Sequence, residues 1–238
     1  MGSELSVIIP AYKECGNVSP LIEKLRLALK GMEWEVIYVD DDSPDGTSDK
    51  VREEAVKDPR VRLIQRIGRR GLSSACIEGM LSSSAPYLAV MDADLQHDEK
   101  ILPLMLQRIK KDNLDIVIGS RYVDGGGMEN WSKERVAASK NATRFAQFLT
   151  GVKVEDPMSG YFLVRQEFFH KTVRNLNGRG FKILLDIMMS SPDPVKFAEV
   201  PFIFRQRQHG ESKLNFKVIL DYFALVMDKA VRRMGRRK

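Results

Sequence analysis

A chain of 238 residues, 43% of them hydrophobic, supports one large core or two small ones. Its two cysteines, Cys15 and Cys76, exclude a disulfide framework, show no metal-ligand spacing and fit a reducing compartment. The net charge is +6, and Lys229, Arg232, Arg233, Arg236, Arg237 and Lys238 crowd the end of the chain, a tail that suits anionic lipid or nucleic acid or simply solvates the end.

The first half alternates strand-like and helix-like segments. Leu5 to Ile9 is a continuous apolar strand, and Val18 to Leu29 carries Val18, Leu21, Ile22, Leu25 and Leu29 at helical spacing. Trp34 to Val39 is the next strand, stopped by Asp40, Asp41 and Asp42, with turn chemistry in Ser43-Pro44-Asp45-Gly46. A helix over Thr47 to Val56, a strand over Val61 to Gln65 and a helix over Leu72 to Leu81 follow. Tyr87 to Met91 is the fourth strand, Ile101 to Ile109 a helix and Ile116 to Ser120 the fifth strand. This alternation predicts an α/β fold with a mostly parallel, doubly wound sheet.

After residue 122 the pattern changes. Asp124-Gly125-Gly126-Gly127 reads as a flexible lid or hinge. Ser132 to Thr150 reads as a helix, and Val200 to Phe204 as a short strand before a polar loop. Phe216 to Met234 has apolar residues in steps of three and four beside the basic tail, which fits packing on the sheet or lying in a membrane interface. No apolar run reaches the roughly 18 residues that span a bilayer.

Chemistry concentrates at strand ends, where parallel sheets place ligands. The first strand ends in Pro10-Ala11-Tyr12-Lys13-Glu14, the second in Asp40-Asp41-Asp42 and the fourth in Asp92-Ala93-Asp94. Asp92 and Asp94 repel each other unless a cation sits beside them, and Mg²⁺ takes one or two carboxylates plus substrate phosphates. The Gly-x-Gly-x-x-Gly and Walker phosphate loops are absent, so a metal is the expected clamp for a diphosphate. Arg69-Arg70-Gly71 adds a basic turn at a helix start. A second, basic cluster comprises Arg121, Arg135, Arg205, Arg207, His209 and Lys213, arginine being suited to phosphate. His97, His170 and His209 form no triad or zinc pattern, and no stacking-aromatic pattern supports nucleic acid.

Eight ordered motifs carry a resemblance. Leu5 to Glu14, Val39 to Thr47, Gly71 to Ala75 and Met91 to His97 resemble the inverting family 2 glycosyltransferases. Gly119 to Tyr122, Asp156 to Phe162, Gly180 to Leu184 and Gly210 to Lys213 are similar to the dolichyl-phosphate (polyprenyl-phosphate) mannose synthase branch. The resemblance implies a GT-A fold, and the expected organisation is a catalytic domain over residues 1–215 (nucleotide part about 1–122, acceptor part about 123–215) followed by the amphipathic basic helix, over 216–238. It implies GDP-mannose as donor, Mg²⁺ or Mn²⁺ as cofactor and a polyprenyl monophosphate as acceptor. By the same match Pro10, Tyr12, Glu14, Val39 and Asp41 hold the nucleotide base and ribose, and Asp92 and Ala93 lie near the ribose and sugar. Asp94 and Gln96 ligate the metal, while Arg121, Arg135, Ser139, Arg207 and Lys213 receive the acceptor phosphate and the diphosphate. Asp92, Asp94 and Arg121 are the expected catalytic residues, and His209 stands where other members carry an arginine.

The chemistry implied needs no strong base, because a phosphate oxygen is already anionic at pH 7. It needs arginine screening, in-line alignment and a metal at the leaving diphosphate, and it inverts the donor's α linkage. The expected location is the cytoplasmic side of a membrane, held peripherally and weakened by salt. A membrane-anchoring partner, or a transmembrane segment beyond this chain, stays open. So do a UDP-glucose:polyprenyl phosphate glucosyltransferase and, more distantly, a non-catalytic nucleotide- or lipid-binding module.

Overall fold

Side chains along the first strand, β1 (Leu5–Ala11), sort by the two-residue period of extended backbone. Leu5, Val7 and Ile9 enter one buried cluster and Ile8 enters another. A strand buried on both faces needs helices on both, and the chain supplies them. A computed structural model of the protein describes residues 2–129, 147, 153–178 and 180–206. Its elements continue as α1 (Cys15–Ala28), β2 (Trp34–Asp40), α2 (Thr47–Lys57), β3 (Val61–Gln65), α3 (Leu72–Leu81), β4 (Tyr87–Val90) and α4 (Leu102–Lys111). Then come β5 (Ile116–Ser120), β6 (Gly127–Met128), β7 (Phe162–Arg165), α5 (Gln166–Thr172), α6 (Ile183–Ser190), β8 (Phe197–Pro201) and β9 (Ile203–Phe204).

One face of the sheet is covered by α1, α2 and α4, through Val18, Leu21, Leu25, Val51, Met105 and Ile109. The other is covered by α3, α5 and α6, through Cys76, Met80, Phe168, Phe169, Leu184 and Ile187. The close approach of α3 rests on Gly79: a Cβ there would lie 2.4 Å from Ile8 Cγ2 and 2.8 Å from Val39 Cγ2.

The seven strands of the main sheet run in the order β3-β2-β1-β4-β7-β5-β8. All are parallel except β7, which is antiparallel to both β4 and β5. The five strands expected before residue 122 form, within two residues at their ends, and so does the α/β, doubly wound arrangement. Strands from both sides of residue 122 share this sheet, since β7 and β8 join β4 and β5. Chain order runs outward from β1 to β2 and β3, then returns to β4 on the other side of β1. That reversal opens a crevice at the carboxyl ends of β1 and β4, the place where open α/β sheets bind ligands. The ladder from β1 to β4 ends at Ile8↔Val90, whereas pairing with β2 continues to Ala11↔Asp40. Pro10, which has no N–H, therefore sits where β1 has already lost its neighbour on the β4 side.

Two sequence expectations change. The single strand over Val200 to Phe204 is two strands, because the chain changes partners after Pro201. Strand β8 pairs with β5, the Phe202 N–H donates to Ser120 O at 3.1 Å, and β9 then pairs with β6. The glycine run after Asp124 is a packed turn rather than an open lid. The Gly126 N–H donates to Val123 O, and a Cβ at Gly126 would lie 2.7 Å from Ser120 O. The expected helices over Ser132 to Thr150, apart from residue 147, and over Phe216 to Met234 lie outside the described residues. Among the described residues no helix is long and apolar enough to cross a membrane.

Candidate active site

Five segments reach the mouth above the sheet: the ends of β1, β2, β4 and β5, and the turn that leads into β7. Three of the four non-glycine residues with positive φ among the described residues lie on them, Lys13 at 57°, Asp42 at 55° and Leu95 at 63°. Left-handed backbone costs a non-glycine residue about 1–3 kcal/mol and persists where surrounding structure enforces it, commonly at functional sites.

At the β1 end, Tyr12 is partly buried, with the Arg70 guanidinium 4.6 Å and the Lys13 ammonium 5.6 Å from its ring centre. Glu14 is buried, accepts from Asn17 Nδ2 at 2.7 Å, and its N–H donates to Thr47 Oγ1. At the β2 end, Asp40 turns inward to accept from Ser48 Oγ at 2.6 Å and from the Ser43 N–H and hydroxyl. Asp41 accepts from Arg66 Nη1 at 2.5 Å and from the Gly71 N–H at 2.7 Å. Arg66 is 2% exposed and also donates to Glu78, Gly71 O and Ser74 Oγ. The basic turn before α3 is thus exposed but engaged with partners in this chain. The Gly71 N–H belongs to Asp41, Arg69 pairs with Glu78 at 3.1 Å, and Arg70 covers Tyr12. Val39 is fully buried beneath α3, a wall of the site rather than a reaching group.

The loop after β4 is locked from within. Asp94 is 5% exposed, and its Oδ1 accepts from the Gln96 N–H at 3.2 Å across left-handed Leu95, an Asx turn. The Gln96 side-chain amide donates from Nε2 to Arg205 O at 2.8 Å, so its Oε1 is the atom able to ligate a cation. His97 is buried, stacked on Tyr161 with ring centres 4.9 Å apart and edged by Phe202 and Phe204. Its Nδ1 accepts from the Asp92 N–H at 3.0 Å. Burial lowers the imidazole pKa to about 4, so the ring is neutral at pH 7 and holds the loop as an acceptor. Ala93 is buried, whereas Asp92 keeps its carboxylate part-exposed beside Gly160, where a Cβ would lie 3.3 Å from Oδ2.

Facing these acids is Arg121, next after β5. Both forks of its guanidinium bind Asp156, Nε to Oδ2 at 2.7 Å and Nη2 to Oδ1 at 2.8 Å. Burial works against its charge, but the Asp156 hydrogen bonds more than offset that and hold it cationic. Asp156 is fully buried, and Glu199 fixes its loop by accepting the N–H groups of Glu155 and Asp156. Arg205, by contrast, is tied to Asp98 at 2.5 Å and Glu99 at 2.7 Å, which makes it a brace rather than a phosphate receiver. Arg135, Ser139, Arg207, His209 and Lys213 lie outside the described residues.

Asp156, Arg66 and Glu199 escaped the sequence reading as individual residues. Asp156 stood in a recognised motif, but its partner is 35 residues away, and a buried arginine such as Arg66 has no local pattern. Among the described residues no group of three or more His, Cys, Asp and Glu side chains could hold a metal ion. The Asp94 carboxylate and Gln96 carbonyl offer hard oxygen donors. Such a pair suits Mg²⁺ or Mn²⁺ when substrate phosphates complete the shell.

Comparison with known proteins bears on the family and the fold. The dolichol-phosphate mannosyltransferase of Pyrococcus furiosus is 43% identical over 221 residues, covering 92% of this chain and 61% of that protein. The chain therefore spans about three fifths of that relative's length. The enzyme of the same name from Saccharomyces cerevisiae is 36% identical over 244 residues, covering 99% of this chain and 90% of the relative. Among solved structures, glucosyl-3-phosphoglycerate synthase from Mycobacterium tuberculosis with Mn²⁺, UDP-glucose and phosphoglyceric acid superposes with a TM-score of 0.71. It is 16% identical and covers 96% of this chain and 80% of that one, and the same protein is also known with Mg²⁺ and UDP. That likeness identifies the fold as GT-A. Residues 6–173 match Glycosyl transferase family 2, and the chain belongs to that family.

Proposed function

We propose that the chain transfers mannose from GDP-mannose to a polyprenyl monophosphate of the dolichyl type, releasing GDP. The observation that carries this reading is the opposition of two kinds of group across one mouth. Asp92 and Asp94 follow β4, and the cationic Arg121, anchored by Asp156, follows β5. An acidic edge suits a metal-bound diphosphate, and an arginine facing it suits a second phosphate. The names of the relatives at 36–43% identity support mannose and dolichyl phosphate as the transferred sugar and the acceptor.

In this reading Tyr12, Glu14 and Asp41 receive the base and ribose, with Pro10 and Val39 as walls. Asp94 and Gln96 would hold Mg²⁺ or Mn²⁺. When bound, the ion neutralises charge on the departing diphosphate. Arg121 screens the acceptor phosphate, so that its oxygen approaches anomeric carbon C1 opposite the leaving group. A bond forms from C1 to that oxygen as the bond from C1 to the diphosphate breaks. The α-linked sugar becomes β-linked, and GDP leaves with the electron pair. No side chain removes a proton, which agrees with His97 being neutral, buried and engaged. The acceptor's chain stays in lipid, so the protein works peripherally at the cytoplasmic face of a membrane. The segments 132–150 and 216–238 are its proposed contacts.

The test is transfer of radiolabel to a short polyprenyl phosphate with Mn²⁺ or Mg²⁺, from GDP-mannose and UDP-glucose in parallel. Label in the organic phase from GDP-mannose is the expected result. Label from UDP-glucose alone would keep the chemistry and overturn the donor.

A further inference from the structure

The turn over residues 156–160 is a meeting place for charge. Arg121 binds Asp156 at its start, Asp92 lies against Gly160 at its end, and Lys182 reaches the middle from the edge of α6. The Lys182 segment is itself fixed. Gly180 has φ +77°, and Gly180 O accepts from both the N–H and the hydroxyl of Ser73, at 3.3 Å and 2.9 Å. From there the Lys182 ammonium extends to Met158 O at 3.4 Å, its one hydrogen bond to a described residue and a long one. Its neighbour in the chain, Phe181, is 40% exposed, an apolar ring open to solvent.

The charges around this ammonium are unevenly paired. The groups that act on it are Arg121 after β5, Asp156 before β7 and Asp92 after β4. Asp156 is consumed by the Arg121 guanidinium, and the Asp92 carboxylate is part-exposed. A second cation has thus been brought near Arg121 with no carboxylate of its own among the described residues. Lys182 is partly buried, and a like charge nearby makes a bound anion favourable there. We propose that Lys182 is a phosphate-binding residue, which together with Arg121 receives the acceptor's phosphate while Phe181 meets the first apolar units of its chain. This deepens the proposed function and rests on it for the identity of the acceptor. Burial, and then Arg121, pull the Lys182 pKa down to about 8, so the empty site gives up this charge as pH rises through that value. A bound phosphate would restore it.

The experiment uses the full chain and a short prenyl phosphate, with binding read by calorimetry and transfer read separately. Lys182→Met is expected to weaken prenyl phosphate binding and raise its KM about tenfold to a hundredfold, the scale of one charge-assisted hydrogen bond. The KM for GDP-mannose should hold steady, and Lys182→Arg should recover most of the loss. In the wild type acceptor binding should weaken above about pH 8, a limb that Lys182→Met should lack. Unchanged prenyl phosphate binding in Lys182→Met overturns the inference. So does a rise in the donor KM alone, which would assign the ammonium to the diphosphate. If the wild type binds prenyl phosphate but transfers nothing, the proposed function fails, and the binding comparison still decides Lys182.

Discussion

At the scale of single residues, the mouth of the sheet is built from groups that hold one another before any ligand arrives. The Asp92 N–H is held by His97, the Asp94 carboxylate by the Gln96 N–H, Asp41 by Arg66 and Gly71, and Arg121 by Asp156. Such preorganisation matters because fixed charges need not reorganise as the reaction proceeds. The Arg121–Asp156 pair gives a sharp test, since its guanidinium is largely buried and its carboxylate wholly so. Removing one partner strands the other, so Asp156→Leu should cost roughly 3–5 kcal/mol of stability, measured by urea denaturation. Adding Arg121→Met should recover most of that loss while transfer stays abolished. If the double variant is no more stable than the single one, the pair is not what Asp156→Leu breaks. Asp92, Asp94 and Arg121 were legible in the sequence because each follows an apolar strand directly. Asp156 and Lys182 were not, because their partners are brought near by tertiary packing across tens of residues.

At the scale of elements, the parallel strands β1 to β5 declared themselves as apolar runs, and the helices between them as helical spacing. Strand β7 did not. Its four residues run straight into α5 with no turn between, leaving neither a break nor an alternation to read. Its antiparallel insertion between β4 and β5 nonetheless shapes the site, because the start of β7 then lies beside the ends of its neighbours and brings in Asp156 and Gly160. On the other side of the site the fit of α3 on β1 and β2 depends on Gly79. Adding one methyl group there meets Ile8 and Val39 at sub-contact distance. Gly79→Ala should therefore cost about 1–3 kcal/mol in thermal or chemical denaturation, despite alanine's better helix propensity. A gain in stability would mean that α3 shifts freely on the sheet.

At the scale of the whole molecule, one sheet carries the acids and the arginine to a single edge, and the start of α6 adds the lysine. The reversal of strand order at β1 and β4 opens that edge to a ligand. Apart from its antiparallel strand, that architecture was readable from the alternation of elements. The residues expected to complete it, Arg135, Ser139, Arg207 and Lys213, lie outside the described structure and rest on the family resemblance. The central claim is that the strand-end carboxylates after β4 serve transfer of mannose to a lipid phosphate. Its most direct measurement is organic-phase label from GDP-mannose with Mn²⁺, comparing wild type with Asp94→Ala and checking that both stay folded. The account predicts transfer by the wild type and at least a hundredfold loss in the variant, the scale of one strong electrostatic contact to the transition state. Undiminished transfer by a folded Asp94→Ala protein would contradict it.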